Sequence, residues 1–142
     1  MNNPRSNDTI GGGGFHHVAF RAPDFDKAVR FYTEGLGFTE KIRWGEGSRR
    51  AILLDTGDGN YVEIFAMEED GEAPGEGAIL HYALRTRDVE AAVEKAARAG
   101  AVVTMDPESV KIPAAQGETP VRIAFVKGPC GEVIEFFQSE DL

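Results

Sequence analysis

Apolar residues alternate with polar ones over short stretches of this chain, and twice the spacing changes to that of a helix. Residues 15–21 alternate and are rich in apolar groups, which predicts a strand. Pro23 and Asp24 end it, and Asp24 is placed to cap a helix running to about Glu34. Phe25, Ala28, Val29 and Tyr32 give that helix one apolar face, and Gly35 and Gly37 close it. Strands follow at about 38–45, 49–55 and 60–66, separated by the turn signals GEGS and TGDGN.

The order then restarts. Residues 78–85 read as a strand, Asp88 as a cap, and VEAAVEKAARAG as an alanine-rich amphipathic helix ending at Gly100. Strands follow at about 101–105, 120–127 and 132–138, while 106–119, with Pro107, Pro113 and Gly117, reads as a long loop. Each half is thus strand, helix, three strands, an α+β pattern of two tandem βαβββ modules. Setting His17 on His81, about 64 residues apart, also aligns Ala19 with Ala83, Arg21 with Arg85, Asp24 with Asp88 and Ala28 with Ala92. This is the signature of an internal duplication.

Strand alternation assigns faces. His17, Ala19 and Arg21 share one face, as do His81, Ala83 and Arg85; Glu63 lies between Tyr61 and Phe65, and Glu135 between Val133 and Phe137. Val18, Phe20, Val62, Ile64, Leu84, Ile134 and Phe136 point the other way, suited to packing on helices. A lone strand histidine is usually structural and a lone strand glutamate usually faces solvent. Four in symmetric positions, beside apolar neighbours that would leave a carboxylate poorly hydrated unless paired or metal-bound, make His17, Glu63, His81 and Glu135 a candidate ligand set for a divalent metal, and the polar faces line a common cup if each half curls its sheet and the halves pair. His16 falls on the face opposite His17 and is given a structural or rim role.

Composition narrows the class. Of 142 residues 42% are hydrophobic and 27% charged, which is globular. The formal charge of −9 argues against nucleic acid as a partner, because phosphate neutralisation needs clustered Lys and Arg. No apolar run is long enough to span a bilayer. Residues 1–14 read as a flexible leader without signal-peptide features, so a cytoplasmic location is expected, with 15–142 as one domain (module one about 15–66, module two about 78–138). The acidic stretch Glu68 to Glu76 reads as a connector. The single cysteine, Cys130, excludes an internal disulfide and a cysteine-based zinc cluster.

FHHVAFRAPDFDKAVRFYTEGLGF resembles the first-module signature of the vicinal oxygen chelate superfamily: a histidine strand, an aspartate-capped helix with Phe-Tyr, then Leu-Gly-Phe. LHYALRTRDVEAAVEKAARAG and AFVKGPCGEVIEFF are similar to its second module, so the resemblance covers 15–138. This superfamily comprises glyoxalase, bleomycin-resistance and extradiol-dioxygenase proteins. The resemblance implies a curved mixed sheet around a metal-binding cup. Among its members the set His17, Glu63, His81, Glu135 is most similar to glyoxalase I, which implies a lyase or isomerase binding one divalent ion (nickel, zinc, cobalt, manganese or iron). In that chemistry the ion stabilises an enediolate while Glu63 or Glu135 moves a proton between adjacent carbons of a small-molecule substrate. Arg21 matches an arginine that glyoxalase I enzymes turn toward glutathione, and Arg122 and Lys111 are further candidates for a substrate anion. Met67 stands where bacterial glyoxalase I has asparagine, a departure that bears on glutathione. The alternatives are an acyl-CoA-type epimerase, an extradiol-type dioxygenase and a non-catalytic resistance protein. Relatives with two modules per chain dimerise, which implies a homodimer with sites shared between subunits.

Overall fold

The computed structural model describes residues 6–35, 37–68, 79–128 and 133–142. Eight strands and two α-helices follow the duplicated order: β1 (Gly14–Ala22), α1 (Phe25–Arg30), β2 (Thr39–Trp44), β3 (Ala51–Asp55), β4 (Tyr61–Ala66), then β5 (Ile79–Arg85), α2 (Val89–Arg98), β6 (Val102–Ala114), β7 (Gly117–Lys127) and β8 (Val133–Gln138). The α+β class and the tandem βαβββ order are those expected. Cys130 and most of the acidic stretch from Glu68 to Glu76 lie outside the described residues.

The chain forms two compact units. One holds His17–Leu80 with Ile112–Glu118; the other holds Met1–His16, His81–Lys111 and Thr119–Leu142. We call them the first and second unit. Strand order is β2-β3-β4-β1 in the first and β5-β8-β7-β6 in the second. In each, the histidine strand runs parallel to the glutamate strand, β1 with β4 and β5 with β8, and the glutamate strand is antiparallel to the strand before it. The eight strands belong to one sheet, and its pairing is mixed in each unit.

Capping and burial explain the helices. Asp24 accepts a hydrogen bond from the Lys27 amide at 3.0 Å and Asp88 one from the Ala91 amide at 3.0 Å, each satisfying a donor the first helical turn leaves unpaired. Beneath α1, Phe25 packs with Ile52, Leu54, Val62, Ile64 and Ala66, joined by Val18, Phe20, Val29 and Tyr32. Beneath α2, Val89, Ala92 and Val93 pack on Ala124, Val126 and Phe136, with Leu84 and Ile134. Each buried aliphatic side chain contributes about 1.5–3 kcal/mol. These clusters confirm the face assignment: the even-numbered positions of β4, β5 and β8 go to the helices. The first helix is shorter than expected. After Arg30 it widens into a π-turn over Phe31–Gly35, and the Thr33 hydroxyl donates to the Val29 carbonyl at 2.7 Å.

The segment 106–119, expected as a long loop, is instead the inner half of a long β6–β7 hairpin. Pro107 and Pro113 mislead because proline signals a break, yet β6 is the outermost strand of its order, where a missing N–H costs no ladder bond. Half-buried positions are odd through Pro107 and even from Val110, so the phase slips across the exposed pair Glu108 and Ser109. The tip belongs to the first unit. There the Ala115 amide donates to the Arg43 carbonyl at 2.7 Å, and Gln116 Nε2 donates at 3.3 Å to Lys41, where the β2–β3 register slips.

Residues 7–12 are bonded to the second unit. Thr86 Oγ1 donates to the Ile10 carbonyl and the Arg87 amide donates to the Gly11 carbonyl at 2.6 Å. Gly12 is required there, because a Cβ would come within 2.0 Å of the Arg85 carbonyl oxygen.

Candidate functional site

The register repeats at the chemistry-bearing positions. Ala19 pairs with Glu63 across β1 and β4, and Ala83 pairs with Glu135 across β5 and β8. Each histidine therefore sits two residues before the partner of its glutamate, on the same sheet face. That spacing brings His17 Nε2 to 3.4 Å from Glu63 Oε1 and His81 Nε2 to 2.9 Å from Glu135 Oε2. Only the second distance falls in the ordinary range of an N–H···O hydrogen bond.

Burial makes these pairs chemically unusual. His17 is 1% exposed, Glu63 8% and Glu135 5%. Taking a carboxylate out of water costs several kcal/mol unless a cation or donors replace the lost hydration. In each unit one imidazole nitrogen partly does so. An imidazole and a carboxylate are both good ligands for a divalent first-row cation, so the donor set fits such an ion.

Aromatic walls flank each pair. In the second unit Phe125, opposite Glu135 in the β7–β8 register, meets the His81 ring edge-on at 5.3 Å between centroids. In the first unit Phe65, two residues past Glu63, meets Trp44 edge-on at 6.3 Å. Trp44 and Phe125 carried no site signal in sequence, although alternation on β2 and β7 would have put both on the ligand face. His16 is fully buried, and its ring lies 4.1 Å from Phe137, which shares the β8 face with Glu135. That contact departs from the simple alternation that set His16 on the helix face.

The candidate cations separate. Arg21 is exposed at the end of β1, on the His17 face. Lys111 is exposed on β6. Arg122 shares its β7 face with Ala124 and Val126, which pack beneath α2. Its Nε donates to Glu90 Oε1 at 2.8 Å and its Nη1 to Ser109 Oγ at 2.8 Å. Arg122, expected as a candidate for a substrate anion, lies on the sheet face opposite Glu135. The Glu90 carboxyl is held below the usual range, chiefly by the hydrogen bond from Arg122, and the Arg122 guanidinium is raised by the same bond.

Among the described residues are two surface cavities, one in each unit, that no histidine–glutamate pair lines. One of about 820 Å³ lies beside α1, bounded by Asp24, Asp26, Ser48, Arg50 and Met67; one of about 570 Å³ is bounded by Arg87, Lys111, Arg122 and Gln138.

Residues 14–136 match the family model described as Glyoxalase/Bleomycin resistance protein/Dioxygenase superfamily. The chain belongs to that superfamily. Among relatives of this glyoxalase-superfamily chain is the probable lactoylglutathione lyase of Vibrio cholerae, 32% identical over 135 residues, covering 87% of this chain and 89% of that protein. The uncharacterized protein YwbC of Bacillus subtilis is 32% identical over 125 residues, covering 86% and 94%. The fold is that of methylmalonyl-CoA epimerase from Mycobacterium tuberculosis, with a TM-score of 0.71 at 21% identity, covering 98% of this chain and 93% of that one. No helix among the described residues is long and apolar enough to cross a membrane.

Proposed function

We propose that this superfamily member is a divalent-metal-dependent lyase or isomerase of the glyoxalase I type, with His17, Glu63, His81 and Glu135 as the ligands of one ion. The observation that carries this reading is the repeated pair: an imidazole, buried at His17 and half-buried at His81, beside a buried carboxylate, set by the same register in both units. The similarity to a probable lactoylglutathione lyase over most of both chains supports the reaction type. The ion, when bound, supplies Lewis-acid stabilisation of an enediolate.

The chain's own residues do the rest. Glu135 or Glu63 takes the proton from one carbon of the substrate and returns it to its neighbour. Arg21, exposed on the His17 face, meets an anionic group of the substrate. Phe125 and Trp44 exclude water and present apolar surface. The substrate is the hemithioacetal of a 2-oxoaldehyde and a thiol, and Met67 argues for thiols other than glutathione. We further propose a homodimer whose sites draw one histidine–glutamate pair from each subunit.

The test is an assay of metal-loaded protein against hemithioacetals that vary the thiol, with an acyl-CoA epimerase substrate as the control arm. Turnover that requires both metal and a hemithioacetal is the expected result. Turnover of the epimerase substrate alone would move the protein to the second proton-transfer reaction, and oxygen uptake with iron would overturn both.

A further inference from the structure

The two surface cavities occupy equivalent places in the duplicated modules. Each is bounded by residues that leave the histidine strand, by the β2–β3 or β6–β7 hairpin, and by residues that end the glutamate strand. Ala66, Met67 and Glu68 follow Glu63 by the same steps as Gln138, Ser139 and Glu140 follow Glu135. An arginine is repeated there too. Arg50 stands beside Ala66, whose amide donates to the Arg50 carbonyl at 2.8 Å, and Arg122 stands opposite Gln138. Each guanidinium is tied to the acid at the second position of its helix. Arg50 Nη1 donates to Asp26 Oδ1 at 3.1 Å, and Arg122 Nε donates to Glu90 Oε1 at 2.8 Å.

Charge is what the two places do not share. The first cavity sets Arg50 against Asp24, Asp26 and Glu68. Arg50 is also covered, with its guanidinium 4.7 Å above the Phe25 ring and its Nε donating to the Gly47 carbonyl at 3.0 Å. The second cavity sets Arg87, Lys111 and Arg122 against Glu140 and Asp141. Arg87 stands where the first module has Pro23.

We propose that the second cavity is a binding site for a phosphate monoester, held by Arg87 and Arg122 and distinct from the histidine–glutamate pair, since Arg122 lies on the sheet face opposite Glu135. A phosphate monoester carries a charge of about −1.5 to −2 at neutral pH and three acceptor oxygens, which suits guanidinium donors arriving from two elements. Among the described residues, Glu90 and Ser109 take three of the five N–H donors of Arg122 and fix its plane, and two remain for a ligand. Val110, Pro120 and Val121 offer apolar surface to the ester group, and a volume of about 570 Å³ is that of a small-molecule site. In the first cavity the excess of carboxylates repels the same anion. The duplication has thus left one arginine closed into a structural pair and given the other a second arginine beside it. This site rests on neither the metal nor the reaction of the proposed function.

Phenyl phosphate titrated by calorimetry into the full chain, freed of metal so that no ion competes for the anion, tests this without turnover. Binding is expected to be tighter than that of inorganic phosphate, which lacks the apolar group, and of benzoate, which lacks the second charge. Arg87→Gln should weaken it about tenfold, the loss of one charge-assisted bond, and Arg122→Gln by a similar factor. Arg87 is exposed, so its substitution spares the core and decides the matter should Arg122→Gln not fold. Arg50→Gln, in the equivalent place of the first unit, should leave the affinity unchanged. No binding, binding that survives Arg87→Gln, benzoate bound as tightly as phenyl phosphate, or an equal loss with Arg50→Gln overturns the proposal.

Discussion

The first and second units were built to one plan and then diverged around it. Helix caps, parallel registers and the histidine–glutamate spacing are the same in both: Asp24 and Asp88, Ala19 opposite Glu63, Ala83 opposite Glu135. The surroundings differ. One helix is short and ends in a π-turn while the other runs from Val89 to Arg98, and one hairpin is compact while β6–β7 is long. One arginine is exposed and the other is held by Leu142. What stayed constant is what aligns an imidazole with a carboxylate. What drifted is the helix, the hairpin and the setting of the arginine around that pair.

The sharpest way to break this comparison is to remove one carboxylate at a time. Glu63→Gln and Glu135→Gln keep shape and lose the base and ligand charge. Each is expected to lower kcat for metal-dependent turnover by about 10²–10⁴-fold, the usual contribution of a positioned proton-transfer group. Each should also lower the bound metal measured by elemental analysis. If only one of the two substitutions affects metal and turnover, the repeated pairs are not equivalent ligands and the four-residue site is wrong.

Next in size come the two cores. Ile64 is fully buried beneath α1, and Phe136 is 3% exposed beneath α2. Ile64→Ala is expected to cost about 2–5 kcal/mol and Phe136→Ala about 3–5, read from urea unfolding. Which probe responds first sharpens the comparison. Trp44 reports on the first unit alone, so its fluorescence should shift with Ile64→Ala at lower urea than the far-ultraviolet signal if the units unfold separately.

How much of this was legible in sequence follows from period. A period of two is unambiguous when one face is apolar, so the faces of β4 and β8, and with them Glu63 and Glu135, could be assigned from residues alone. The same period places Arg122 on the face of Ala124 and Val126, which pack beneath α2. The β6–β7 hairpin was hidden for a different reason. Proline acts through a missing N–H, and whether that matters depends on which strand lies alongside, a tertiary fact. The Leu142–Arg85 contact spans most of the second module, so no local pattern could announce it.

The caps give a smaller test. Asp24→Ala and Asp88→Ala each remove an acceptor from an amide at 3.0 Å, and each should cost about 1 kcal/mol of stability. Equal losses are expected, because the cap geometry is the same in both units. A loss at Asp88 alone, measured by thermal melting, would show that the first helix relies on its π-turn and on Phe25 rather than on its cap.

Arg122 is expected to show the smallest effect. Its partner Glu90 is exposed, and exposed ion pairs are screened by water and salt. Arg122→Gln should therefore leave kcat/KM unchanged, since the side chain lies on the α2 face, and should lower Tm only slightly. The pH dependence gives the sign. The folded Glu90 carboxyl titrates below its unfolded counterpart because Arg122 donates to it, so its contribution is present at neutral pH and is lost as pH falls through the lowered folded value. The small stability gap between Arg122→Gln and the unaltered chain should accordingly close on acidification below about pH 4, the range of an ordinary glutamate. A gap that widens there, or a fall in kcat/KM at neutral pH, would return Arg122 to the substrate and erase the distinction between its face and that of Glu135.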